Sequence, residues 1–139
     1  IPAASVYLIR GGGPVLAPAD AALRDQLLRL GLQVEVVVDA ASTVVAAGAH
    51  GLVYISSTTA WNKLPRTLRQ LPVPMVTAQP KTADPAFLGL CEDTGEVAGS
   101  MVHIDVHDLD HPLAVWVGPG LTYSSPGPLA FCLRPEPTA

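Results

Sequence analysis

The stretch from residue 103 to residue 111 holds four side chains that could bind a divalent metal ion: His103, Asp105, His107 and His111. If residues 101–106 form a strand, alternate positions share a face, which puts His103, Asp105 and His107 together. Imidazole and carboxylate groups in that arrangement have the composition of a metal site able to assist hydrolysis. The alternative is an edge strand that carries these polar residues because it is solvated.

A row of hydroxyl side chains, Ser56, Ser57 and Thr58, follows the apolar run at 51–56. In open α/β sheets, ligands bind outside the carboxyl ends of the strands. The hydroxyls could therefore bind a small ligand or supply a nucleophile, which would need a base brought near by folding. Capping of a following helix is the alternative, because Ser and Thr are favoured N-cap residues.

Three consecutive glycines, Gly11, Gly12 and Gly13, lie between the first apolar run and an amphipathic segment. A glycine turn before a helix can cradle the phosphate of a nucleotide or flavin with backbone N–H groups. Nearby Pro14 and Pro18 remove donors, however, and the pattern is not G-x-G-x-x-G. A permissive turn without a ligand is the alternative interpretation.

The elements that must position these residues alternate between strands and helices. The sequence predicts strands over 5–9, 33–39, 51–56 and 74–79, separated by helices over 18–30, 40–49 and 60–71. Such alternation with short loops indicates a parallel sheet with right-handed crossovers, in which 51–56 is the best candidate for a central strand. The second half is less regular, with a short helix over 83–90 and strands over 101–106 and 130–133.

Three stretches carry a resemblance to a known family: the glycine turn, the strand with its hydroxyls at 52–57, and residues 104–113. The last of these ends in the turn His111-Pro112-Leu113. Together they resemble ThuA-like domains, of the class I glutamine amidotransferase-like fold. The resemblance implies an α/β, flavodoxin-like three-layer sandwich with a mostly parallel sheet of about five to six strands. We expect a single domain over 1–133 and an extended tail over 134–139.

The catalytic cysteine of the amidotransferases in this superfamily is missing here. Those enzymes carry a Gly-x-Cys-x-Gly elbow after the third strand, where this chain has Ile55-Ser56-Ser57-Thr58. The two cysteines, Cys91 and Cys132, do not lie in such an elbow. They could form a disulfide with each other or remain two buried free thiols. The resemblance thus implies the fold without the activity, and we expect no cofactor apart from the divalent metal of the alternative above.

The charge content narrows the classes of partner. The net charge is −4 and the eight basic residues do not cluster, which disfavours nucleic acid. No apolar stretch is long enough for a membrane span. Hydrophobic residues make up 49% of the chain and charged residues only 14%, a balance that favours a surface covered by a protein partner or a second copy. Because the chain begins at Ile1 and ThuA-like domains occur in secreted bacterial proteins, we expect a secreted or cell-surface binding or assembly module.

Overall fold

The computed structural model describes residues 4–89 and, beyond them, the strands Cys91–Val97, Met101–Asp105, Gly120–Ser124 and Leu129–Pro135. The first four strands are β1 Ser5–Arg10, β2 Gln33–Val38, β3 Leu52–Ile55 and β4 Met75–Thr77. They form one all-parallel sheet in the order β2-β1-β3-β4. The predicted α/β class is confirmed, and 51–56 does supply one of the two central strands.

The helix after β1, α1 Pro18–Arg29, matches the prediction closely. Pro18 occupies the first turn, where its missing N–H costs no hydrogen bond, and Gly31 takes a φ of 79° just beyond the helix end. A second helix, α2 Val44–Gly48, lies between β2 and β3. Thr43 caps it by accepting a hydrogen bond from the Ala46 N–H at 3.2 Å.

The other predicted helices are wrong in length or type. Residues 60–71 form two short 3-10 helices, Trp61–Lys63 and Arg66–Gln70, because Pro65 lacks an N–H and holds Leu64 in an extended conformation. The predicted helix over 40–49 is also divided, here by the extended conformation of Ser42 and Thr43. Its start is the 3-10 helix Asp39–Ala41, and α2 begins only after Thr43. In place of the predicted helix over 83–90, a 3-10 helix occupies Pro80–Ala83, followed by turns as far as residue 88.

The two faces of the sheet are covered differently. On the α2 side, Tyr7, Ile9, Val53 and Ile55 form a core that is at most 1% exposed. The residues that pack on this core come from the connections: Ala47, Leu64, Leu68, Phe87 and Leu88. On the opposite face the centre of β1 is buried, but Val76 on β4 remains 48% exposed. A single helix about 10 Å wide covers only about two strands spaced about 4.8 Å apart, which accounts for this difference.

The chain divides into two compact units, residues 1–94 with 132–139, and residues 95–131. The remaining strands are β5 Cys91–Val97, β6 Met101–Asp105, β7 Gly120–Ser124 and β8 Leu129–Pro135. β5 pairs with β8, and β6 pairs antiparallel with β7. The sequence analysis predicted strands at β6 and β8 but not at β5 or β7. Among the described residues, no helix has the length and apolar content needed to cross a bilayer.

Candidate ligand site at the carboxyl edge of the sheet

The two sets of candidate residues that follow β1 and β3 meet at one edge of the sheet. The strand order reverses between these strands, and such a switch point opens a crevice at the carboxyl ends. The Gly11 N–H donates to the Thr58 hydroxyl oxygen at 3.0 Å, although 47 positions separate the two residues. The glycine turn and the hydroxyl row therefore belong to one site.

A carboxylate from α1 binds the hydroxyl row. Asp20 accepts hydrogen bonds from the Ser56 hydroxyl at 2.5 Å and from the Thr58 hydroxyl at 2.9 Å, one on each oxygen. The Thr58 N–H in turn donates to Ser56 Oγ at 3.1 Å. Asp20 and Ser56 are only 4% and 1% exposed. We call Asp20, Ser56, Thr58 and Gly11 the carboxyl-edge network.

A second buried carboxylate, Asp39, follows directly after β2. Its oxygens accept from the Ala40 N–H at 2.7 Å and from the Ala60 N–H at 2.8 Å. Asp39 is 1% exposed, so the amide donors have replaced its water. It fastens the end of β2 to the loop after β3, and no motif in the sequence pointed to it.

The end of β4 is tied to the same loop by an amide side chain. Gln79 Nε2 donates to the carbonyl oxygens of Thr59 at 2.7 Å and Ser57 at 3.2 Å. Sequence reasoning missed both Gln79 and Asp39. The signal that could have found them is position, because each is the polar last residue of a predicted strand, 33–39 or 74–79, and so lies at the carboxyl edge.

The three glycines of the turn serve different purposes. A Cβ on Gly11 would lie 2.1 Å from the Thr58 carbonyl oxygen, so the two backbones approach too closely for any side chain. Gly13 takes a φ of 153°, which disfavours other residues. A Cβ on Gly12 would meet nothing closer than 3.9 Å. Packing and conformation thus explain two of the three glycines.

Two cationic side chains border this turn. Arg10 folds back so that its NH1 donates to the carbonyl oxygens of Gly13 at 2.8 Å and Gly11 at 3.1 Å. A Cβ on Gly12 would lie 4.0 Å from Lys63 Nζ and 3.9 Å from Asp39 Oδ1. The turn therefore presents its carbonyl oxygens to Arg10 and leaves its other side near Lys63.

The hydroxyl row does not cap a helix, which was the alternative interpretation of these residues. The next helical segment begins after Ala60, which makes no side-chain cap. Thr59 instead donates to the Ile9 carbonyl oxygen at 3.2 Å. Close by on β3, partial burial raises the pKa of the Tyr54 hydroxyl above its ordinary value, and the negative charge of Asp20 adds to the rise.

The proposed metal ligands are only partly within the described residues. β6 carries His103 and Asp105, which the register places opposite Thr122 and Gly120 of β7. Their positions two apart on one strand agree with the alternation that the sequence predicted. His107 and His111 lie outside the described residues. In the part of the chain whose side chains are described, no three His, Cys, Asp or Glu residues are grouped to hold a metal ion.

The two cysteines lie on neighbouring strands. Cys91 is the first residue of β5, Cys132 is the fourth of β8, and these strands pair. The position of their side chains lies outside the described part of the chain, so a disulfide and two free thiols both stay open.

Comparisons of the chain with protein-family models, with curated proteins and with solved structures find no match. The site must therefore be interpreted from its own geometry.

Proposed function

We propose that this chain is a non-catalytic binding or assembly module that contacts its partner at the carboxyl edge of β1 and β3. The observation that carries the proposal is the state of Ser56. Its hydroxyl stands at the end of the third strand, donates to Asp20, and is buried to 1% exposure. A hydroxyl whose proton and accessible surface are already used cannot readily attack a substrate.

The histidine nearest in sequence to this hydroxyl is engaged elsewhere. His50 Nδ1 lies 2.8 Å from the Ala46 carbonyl oxygen, and Nε2 lies 3.2 Å from Glu35 Oε2. Its ring packs on Tyr7, which is level with Val53, whereas Ser56 lies about 10 Å further along the strand direction. Among residues 4–89 no other histidine is available, so Ser56 has no imidazole base in this unit.

Exposed apolar side chains at the same edge support a protein partner. Val15 in the loop after β1 is 78% exposed, and Trp61 in the segment after β3 is 40% exposed. Large apolar and aromatic groups next to a rigid backbone are typical of interface centres. The resemblance to ThuA-like domains is the separate support for a flavodoxin-like three-layer domain, with a mostly parallel sheet of about five to six strands, in a secreted or cell-surface protein.

Two measurements test the proposal together. The purified chain is incubated with glutamine and with a nitrophenyl ester, with and without Zn²⁺, and its mass is measured by light scattering. We expect no turnover, and a mass above that of the 14.4 kDa monomer if the module assembles with itself. Turnover that disappears in Ser56→Ala would contradict the non-catalytic assignment. A strictly monomeric mass would exclude self-assembly and leave a different protein as the partner of the module.

A metal-assisted hydrolase is the second candidate, and one observation favours it. β6 holds His103 and Asp105 two positions apart, the spacing that lets two ligands meet one ion. Its test is the melting temperature with and without Zn²⁺ in wild type and in His103→Ala. A rise in melting temperature with Zn²⁺ that is absent in His103→Ala would support a metal site at β6. Equal melting temperatures of the wild type with and without Zn²⁺ would contradict it.

A further inference from the structure

We propose that Arg10 and Lys63, on either side of Gly12 and Gly13, bind a small oxyanion, a phosphate or carboxylate group of the module's ligand. The inference rests on the proposed function and adds the chemical class of the ligand. Arg10 is the last residue of β1, and Lys63 ends the 3-10 helix Trp61–Lys63 that follows β3. Both cations border the same glycine turn, which lies at the switch point of the sheet.

The cations at this edge are not neutralised by carboxylates. Among residues 4–89, neither Arg10 nor Lys63 forms an ion pair; the salt bridges there join Arg24 to Asp25 and His50 to Glu35. Arg10 uses NH1 on two carbonyl oxygens, which leaves Nε and NH2 as donors. Two cations thus border the turn without an ion-pair partner among residues 4–89, on a chain whose net charge is −4.

The acidic residues nearby face inward. Both oxygens of Asp20 accept from hydroxyl groups and both oxygens of Asp39 accept from backbone N–H groups. These carboxylates are 4% and 1% exposed, while Lys63 is exposed. The carboxylate charges are therefore already stabilised by fixed donors, and the exposed ammonium group of Lys63 is the more accessible charge beside the turn.

Gly12 supplies the open space. Neither a positive φ nor close packing requires a glycine there, and a methyl group would occupy the gap between Lys63 Nζ at 4.0 Å and Asp39 Oδ1 at 3.9 Å. Among residues 4–89 the N–H groups of Gly12 and Gly13 donate to no acceptor. Bare backbone donors beside a guanidinium and an ammonium are the combination that recognises phosphate and carboxylate oxygens.

The test is a titration of the full chain, labelled with ¹⁵N, with inorganic phosphate, with acetate, and with sodium chloride at the same ionic strength. We expect saturable shifts of the Gly12 and Gly13 amide signals with an oxyanion and none with chloride. Tighter binding of inorganic phosphate would identify a phosphate group, and tighter binding of acetate a carboxylate. The absence of a saturable shift with either oxyanion would overturn the inference.

Three variants locate the site. Lys63→Met should weaken the binding of the preferred ion about tenfold, since it removes one charge-assisted contact. Gly12→Ala should weaken it comparably by filling the space without a change of charge. Arg29→Met, at the far end of α1, removes the same charge and should change the affinity less than about twofold. If all three variants bound the ion with the affinity of the wild type, the assignment to this turn would be refuted.

The two proposals fail separately. Loss of the oxyanion site with no turnover would leave a binding module that recognises its partner by other groups. Turnover by a protein whose Lys63→Met variant loses oxyanion binding would refute the non-catalytic function and keep the oxyanion site.

Discussion

Two polar clusters of the parallel-sheet unit differ in position and in burial. The carboxyl-edge network lies at the switch point, and its Asp20 and Ser56 are nearly inaccessible. The other cluster, on the α2 side, is an ion pair between His50 and Glu35 with the imidazole ring 5.0 Å from Tyr7. There the imidazole side chain is 13% exposed and the carboxylate side chain 57%.

The difference in burial shows which of the two clusters holds neighbouring elements in a fixed position at the candidate site. A buried carboxylate must find donors for both oxygens, and Asp20 obtains them from the loop after β3. That requirement fixes α1 relative to the loop after β3 before any ligand arrives. In the pair at His50 the carboxylate of Glu35 is more than half exposed, so it keeps contact with water and imposes no comparable constraint.

The substitution with the largest expected effect lies where two backbone segments of the carboxyl-edge network approach each other most closely. Gly11→Ala would place a methyl group 2.1 Å from the Thr58 carbonyl oxygen, so the loops must separate. We expect a loss of about 3 kcal/mol in the free energy of unfolding, measured by urea denaturation. Gly12→Ala is the matched control and should change it by less than about 1 kcal/mol. Equal losses would show that the close approach is not what requires Gly11.

The second-largest effect is expected from removal of the buried carboxylate of Asp20. Asp20→Ala leaves the hydroxyls of Ser56 and Thr58 without their acceptor. We expect a loss of about 2 kcal/mol in the free energy of unfolding. Asp25→Ala, which removes an exposed carboxylate that contacts Arg24, should cost no more than about 0.5 kcal/mol. A small loss in both variants would mean that burial of Asp20 contributes little to stability.

The other cluster should respond weakly. Glu35→Gln removes the charge that faces His50 at 3.2 Å and keeps the shape of the side chain. Because the carboxylate is more than half exposed, we expect a loss of about 0.5 kcal/mol in the same denaturation experiment. A loss as large as that of Asp20→Ala would remove the distinction between the clusters.

The smallest effect is confined to alkaline pH. Burial, and secondly Asp20, raise the pKa of Tyr54 above 10.0 in the folded protein, so the unfolded chain releases this proton first. The contribution to stability is therefore complete below about pH 10 and is lost as the pH rises further. In Tyr54→Phe, the free energy of unfolding should fall less steeply between about pH 9 and 11.

The influence of Asp20 on this titration can be tested separately. Ultraviolet difference spectra between each background and its Tyr54→Phe partner report the Tyr54 ionisation. Asp20→Asn should lower the pKa of Tyr54, since it removes one of the two causes, and Asp25→Asn should leave it in place. An unchanged titration in Asp20→Asn would show that the carboxylate charge does not reach this hydroxyl.

Local pattern was enough to predict the four strands of the parallel sheet and the first helix. The valines of β2 and the apolar run of β3 define strands by their composition, and Pro18 and Gly31 mark the ends of α1. The helix predicted across Pro65 was wrong because the apolar spacing was given more weight than the backbone restriction. β5 was missed because its sequence, CEDTGEV, has the acidic and glycine residues that strands usually lack.

By itself, the sequence determined the alternation of strands and helices, the glycine turn, the hydroxyl row and the absence of a cysteine elbow, because each is a property of neighbouring residues. Only the tertiary structure decided that Gly11 touches Thr58, that Asp20 binds both hydroxyls, and that Lys63 faces Gly12. These contacts depend on the order of the strands in the sheet. That order results from how the whole chain packs, and no local pattern specifies it.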